Sequence, residues 1–86
     1  MNHHATAVRT YPGVIPRNLE LVVIKVATKL KHDASKRTMR SFANGLRFLC
    51  GFFGDFHVVR SPGRFAIYDN LGRIAASITQ STFHCP

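Results

Sequence analysis

Two turn signals near the end of the chain constrain its fold more than any other feature. Ser61-Pro62-Gly63 and Asp69-Asn70-Leu71-Gly72 are separated by five residues. Proline followed by glycine presets a tight turn, and Asp-Asn-Leu-Gly suits a type I turn that ends in a left-handed glycine beside a bulge. The segments around them, 56–60, 64–68 and 73–79, therefore read as three strands of an antiparallel meander. Phe56 and Val58, Phe65 and Ile67, and Ile74, Ala76 and Ile78 are expected to share its buried face. Leu71, Ile74, Ala75 and Ile78 also fit a helical stripe. The alternative is thus a winged helix, with residues 70–80 forming a helix behind a two-stranded wing.

Upstream of Phe56 the apolar period changes from two to about 3.6. Leu19, Val22, Val23, Val26, Ala27 and Leu30 make a six-position stripe that predicts a helix over 19–31, with Asn18 as its N-cap. Glu20 in the first turn and Lys29, Lys31 and His32 in the last suit the helix dipole. The β-branched run at Val22, Val23, Ile24 and Val26 argues the other way, for a strand, by a few tenths of a kcal/mol per residue. A second helix is capped by Asp33 or Ser35 and runs to about Cys50. Met39, Phe42, Ala43, Leu46, Leu49 and Cys50 face inward, and Gly51 is the expected terminator. Gly45 stands inside this helix at a cost of about 1 kcal/mol relative to alanine, which points to a close approach by another backbone. Residues 1–16, with Pro12, Gly13 and Pro16, read as an extended N-terminal segment able to add an edge strand, and His3-His4 as part of a disordered end. Residues 17–86 form a single compact α+β domain of two helices followed by a three-stranded antiparallel meander, against which both helices pack.

At 86 residues such a domain builds one core and has little room for a deep catalytic cleft. Seven phenylalanines give it core material, so it is not a disordered basic tail. Two cysteines are too few for a stapled secreted domain, and the first 17 residues hold no apolar stretch of signal-peptide type. A cytoplasmic, reduced setting is expected. The longest apolar runs are far short of the roughly 20 residues that span a bilayer, so no membrane partner is expected.

The charge is where the sequence points to a partner. Twelve Lys and Arg oppose four Asp and Glu, a formal charge of +8. Between Lys25 and Arg47 seven cations meet only Asp33, a local balance of +6. On the second helix Lys36, Arg37, Arg40, Asn44 and Arg47 fall opposite the Met39/Phe42/Leu46 stripe, a ridge suited to tracking phosphates. Arg60 and Arg64 flank the first hairpin turn, with Arg73 on the next strand. A basic hairpin beside a basic helix offers two contacts to one duplex. Charge runs also occur as solubilising faces and as protection of strand edges. Phe48 and Phe52, one turn apart, lie away from the apolar stripe. They can stack on unpaired bases, form a patch for a protein partner, or lie under the N-terminal segment with Tyr11, Val14 and Ile15.

Catalytic arrangements have little support. His32, His57 and His84 have no Ser, Cys or carboxylate at a fixed local spacing, and Glu20, Asp33, Asp55 and Asp69 stand at helix ends and turns where capping explains them. No CxxC or HxxxH spacing supports a zinc site from Cys50, His57, His84 and Cys85. Cys50 and Cys85 read as two inert thiols, with a disulfide between them as the alternative. No cofactor, metal or catalytic residue is expected.

Within residues 48–74, Arg60, Gly63, Ile67, Tyr68, Gly72 and Arg73 stand in an order that resembles the middle of HicA-type toxins, whose fold is similar to a double-stranded-RNA-binding domain. In this comparison Phe48 to Phe53 end the family's first helix. Arg64 and Phe65 stand where that family has a serine and its catalytic histidine. The resemblance therefore implies an RNA-facing fold without ribonuclease chemistry. Residues 68–73 are also similar to Tyr-Asp repeat hairpins of RHS proteins, which bears on the turn alone. The reading is a small non-enzymatic nucleic-acid-binding domain, DNA or RNA, acting as a transcriptional or host-takeover regulator of phage or mobile-element type. The alternative is a small inhibitor that docks on a host protein through an apolar and basic surface. Monomer and homodimer are both open.

Overall fold

The computed structural model describes residues 2–32 and 36–84, with side chains over 6–32 and 37–80. The elements are β1 (Asn2–Thr10), α1 (Arg17–His32), α2 (Lys36–Phe53), β2 (Phe56–Ser61), β3 (Arg64–Asp69) and β4 (Ile74–His84). The strands form one antiparallel sheet in the order β1-β4-β3-β2, with both helices on one face. The class is α+β, as the sequence implies, but the sheet has four strands and not three. The added strand is the N-terminal segment, the edge strand that the sequence allows there. Its backbone pairs with β4 from Asn2 opposite His84 to Thr10 opposite Ala76, so His3 and His4 belong to a strand and not to a loose end. Residues 74–84 are strand, which removes the winged-helix alternative. Among the described residues no helix is long and apolar enough to cross a membrane.

α1 begins two residues before the expected start. Pro16 supplies its carbonyl to the Glu20 N–H at 2.9 Å, and Asn18 lies inside the first turn instead of capping it. Leu19, Val23, Ala27 and Leu30 are buried, which is the expected helical stripe. The last turn is tied to the sheet by Gln80, whose Nε2 donates to the Leu30 carbonyl at 3.0 Å. α2 ends three residues beyond Cys50. Gly54, at φ 90°, is its terminator, and its N–H reaches the Cys50 carbonyl at 3.1 Å; Gly51 stays helical and exposed. Asp33 and Ser35, the expected caps, lie outside the described residues.

Both turns behave as their chemistry requires. Gly63 has φ 70° in the two-residue link between β2 and β3. A Cβ there would meet the Gln80 carbonyl oxygen at 2.7 Å, so the position is closed to other residues. In the second turn Gly72 has φ 79°, and the Asp69 carboxylate gathers the turn around itself. Its Oδ1 accepts the N–H groups of Leu71 (3.0 Å) and Arg73 (2.8 Å), and its Oδ2 accepts Arg73 Nε–H at 2.8 Å. Beyond this turn the β3–β4 register shifts: Ile67 faces Ala76, whereas Tyr68 faces Ile74. The extra residue is Ala75, and it reverses the side on which Ile74 projects. Ile74 therefore leaves the expected core face, while Ala75 and Ala76 are both buried.

The core unites Leu19, Val23 and Leu30 from α1, Ala43, Leu46 and Cys50 from α2, and Phe65, Ile67 and Ile78 from the sheet. Glu20 joins β1 to α1. It is buried, and it accepts Thr10 Oγ1–H at 2.8 Å and Arg17 Nη1–H at 2.6 Å. These two hydrogen bonds, with the Arg17 charge, hold its carboxyl below the ordinary range against a smaller opposing effect of desolvation. At Asp69 desolvation is the largest single influence and raises the pKa, but the bonds from Arg73 and Leu71 together outweigh it and the net shift is downward.

Both carboxylates thus ionise more readily folded than unfolded, and each contributes stability that is fully present above about pH 5 and lost as pH falls through the folded-state value. A Glu20→Gln/Asp69→Asn double variant is expected to melt at a lower temperature than the native chain at pH 7. The difference should narrow from about pH 5 down to about pH 2 in a calorimetric series. A second prediction concerns Cys50, whose thiol is pushed up to about 11 by burial. In a Cys85→Ser background, a thiol-reactive dye should leave folded protein unlabelled at pH 8 and label it fully in concentrated guanidinium.

Candidate functional site

α2 meets the core with Met39, Ala43, Leu46 and Cys50, one helical stripe. The opposite arc is open to solvent and has two parts. Arg40 and Arg47 lie two turns apart along one line, with Arg37 and Asn44 beside them, and all four are exposed. Next to these runs a second line of Ser41, Gly45, Phe48 and Phe52, also exposed. Lys36 opens the helix, and its side chain lies outside those described.

Phe48 and Phe52 are 76% and 79% exposed, which decides between the readings of these residues. The N-terminal segment does not cover them. Ile15 is instead buried in the core, with Val14 packed against it. Phe52 meets the half-buried Phe53 edge to face, with centroids 5.9 Å apart.

The hairpin cations separate. Arg60 is opposite the buried Phe65 and alternates with Phe56 and Val58, so it projects on the side of the helices. Arg64 projects from the open face of the sheet, the side of Tyr68. Both are exposed, but they do not form one tip. Arg73 is held by Asp69, at 2.8 Å between Nε and Oδ2.

Two of the four acids are engaged away from the arginines of α2. Glu20 and Asp69 are engaged with Arg17 and Arg73, and among the described residues no ion pair involves Arg37, Arg40 or Arg47. Among the described residues the basic line therefore faces solvent without an acidic ion-pair partner.

The chemistry of nucleophiles and metals finds no assembled site among the described residues. No three His, Cys, Asp or Glu side chains converge there as metal ligands. Cys50 is enclosed in the core, whereas His57 projects from the open face and stacks on Tyr68, with centroids 5.8 Å apart and planes 25° from parallel. These two members of the unsupported zinc set are thus on opposite sides of the sheet. Cys85, the other partner in the zinc and disulfide readings, lies outside the described residues, as does the side chain of His84.

Sequence reasoning missed the open face of the sheet. Arg9, placed over the Tyr11 ring at 5.9 Å, lines a shallow depression of about 300 Å³ together with Ala7, Val8, Ser77 and Thr79. The sequence allows residues 1–16 an edge strand but does not say that Arg9 would project from this face. No family model matches the chain, and neither a curated protein nor a solved structure matches it either.

Proposed function

We propose that this chain is a non-enzymatic nucleic-acid-binding domain that engages the phosphate backbone through the exposed arc of α2. The observation that carries the reading is the line of Arg40 and Arg47, with Arg37 and Asn44 beside it, exposed and without an acidic partner among the described residues. Arg40 and Arg47 are about 10 Å apart along the helix axis, a span that reaches more than one phosphate. Neutralising phosphates releases condensed counterions, the entropic source of such binding. Asn44 stands between the cations with both a donor and an acceptor for a base edge. Arg60 projects on the same side of the sheet as α2 and extends this contact, while Arg64 serves the other face. A regulator of phage or mobile-element type is the role that this small, single-helix contact fits.

A second reading, a small inhibitor that docks on another protein, is favoured by the exposure of Phe48 and Phe52. Residues of this kind are anchors when a partner encloses them.

The test is fluorescence anisotropy with labelled duplex DNA, single-stranded DNA and duplex RNA across a salt series. Native protein is expected to bind at least one of them with an affinity that falls steeply with salt, and Arg40→Ala should reduce the magnitude of the log–log slope by about one. Arg40→Glu should weaken binding further, and by more than Arg64→Glu. Equal binding by Arg40→Glu and native protein would remove α2 from the contact. Cleavage of the probe by highly purified protein would overturn the non-enzymatic reading.

A further inference from the structure

Gly45 poses a question that the monomer does not answer. It sits in the middle of an 18-residue helix, where glycine costs about 1 kcal/mol relative to alanine. Its conformation is helical, so no left-handed backbone demands it. A Cβ built at Gly45 would meet nothing within 4 Å, so no element of the same chain approaches it either. The space above it is solvent, and the side chains that rise beside it on the same arc are the exposed rings of Phe48 and Phe52.

From this we infer that the Ser41/Gly45/Phe48/Phe52 line of α2 is a self-association face, on which two copies of the chain pair with their α2 helices antiparallel. When the two-fold axis passes between Leu46 and Arg47, Phe48 of each copy falls opposite Gly45 of the other, and Phe52 opposite Ser41. Each helix thereby supplies both the large residues and the small ones that receive them, as an isologous interface requires. Glycine lets the helix axes come close enough for the rings to fill the space between them.

The area decides the strength of the pair. Two largely exposed phenylalanines per copy bring roughly 600 Å² in total, and the adjoining Ser41, Asn44 and Arg37 stems raise this to about 1,000 Å². That is at the lower edge of specific interfaces and corresponds to a weak, reversible dimer. The charge acts in the same direction. Each copy carries +8, so the partners repel at low ionic strength, and added salt should strengthen the pair by screening. Binding to phosphates has the opposite salt dependence. The dimer does not rest on the nucleic-acid reading, and either can fail without the other. If both hold, the Arg40/Arg47 lines of the two copies flank one apolar seam.

The experiment is sedimentation velocity on the full chain without nucleic acid, from about 5 to 500 μM, at low and at high salt. The expected result is monomer at the dilute end, dimer at the concentrated end, and a midpoint that moves to lower concentration at high salt. Gly45→Leu is the decisive variant. Its side chain enters open solvent in the monomer and improves helix propensity, so it should melt no lower than the native chain and yet remain monomeric throughout. Phe48→Asp should also remain monomeric. A native chain that is monomeric at 500 μM in both salts would overturn the inference, and so would undiminished dimerisation by Gly45→Leu. If Phe48→Asp lowers single-strand binding while the native chain sediments as a monomer, the rings serve bases and the self-association face is refuted.

Discussion

Asp69 sits at the end of β3 with its side chain almost out of solvent, and it accepts three N–H groups from the four residues that follow. The rest of the sheet depends on this turn. It sets where β4 starts, and the bulge at Ala75 follows within two residues of Arg73. The carbonyl of Ala75 is taken by the Tyr11 N–H at 2.9 Å, so the bulge is also the point at which the chain leaving β1 is held. From Tyr11 the chain makes a compact turn, in which Tyr11 O accepts the N–H of Val14 and of Ile15, and then enters α1 through Pro16. One carboxylate at a hairpin therefore controls both the pairing of β4 and the start of α1.

The economy of acids links this architecture to the surface. The chain has four carboxylate side chains, and the fold draws two of them, Glu20 and Asp69, into hydrogen bonds that stabilise their charged forms. Each takes an arginine with it, Arg17 and Arg73, at points where strand meets helix or strand meets strand. These two ion pairs lie at the β1–α1 junction and at the β3–β4 turn, and neither involves an arginine of α2. Among the described residues the exposed arginines of α2 are therefore left without an ion pair, in a chain whose total charge is +8.

The parts of the fold that were legible in the sequence are those with a local cause. Pro62-Gly63 and the Asp69 to Gly72 turn act through dihedral limits and short side-chain bonds, so both hairpins follow from composition alone. The stripe from Met39 to Cys50 likewise settles which arc of α2 faces solvent, and the exposure of Arg37, Arg40, Asn44 and Arg47 with it. The parts that were not legible depend on distant partners. The sequence allows the N-terminal segment an edge strand but not its partner: β1 carries alanine and threonine at most of positions 5–10, with little apolar area, and pairs with β4 more than 60 residues away. The helix end expected at Gly51 lies instead at Gly54, because Phe53 packs against the core and extends α2 past the first glycine. Ile74, Ala76 and Ile78 alternate without fault, yet one extra residue at Ala75 turns Ile74 outward. The exposure of Phe48 and Phe52 was undecidable for the same reason, since it rested on where residues 11–15 run.

The two lines on α2 place opposing physical demands on one helix. The arginine line attracts polyanions best at low salt and keeps copies of the chain apart under the same conditions. The phenylalanine line gains from contact with an apolar surface at any ionic strength, and its effect emerges when the repulsion is screened. If the arginine line binds a polyanion and the phenylalanine line pairs, as proposed, the polyanion resolves the conflict by neutralising the charge that keeps the copies apart. Binding and pairing on α2 are then thermodynamically linked: whatever lowers the charge of the arginine line must strengthen pairing, and pairing must in turn raise affinity for the polyanion by the same factor.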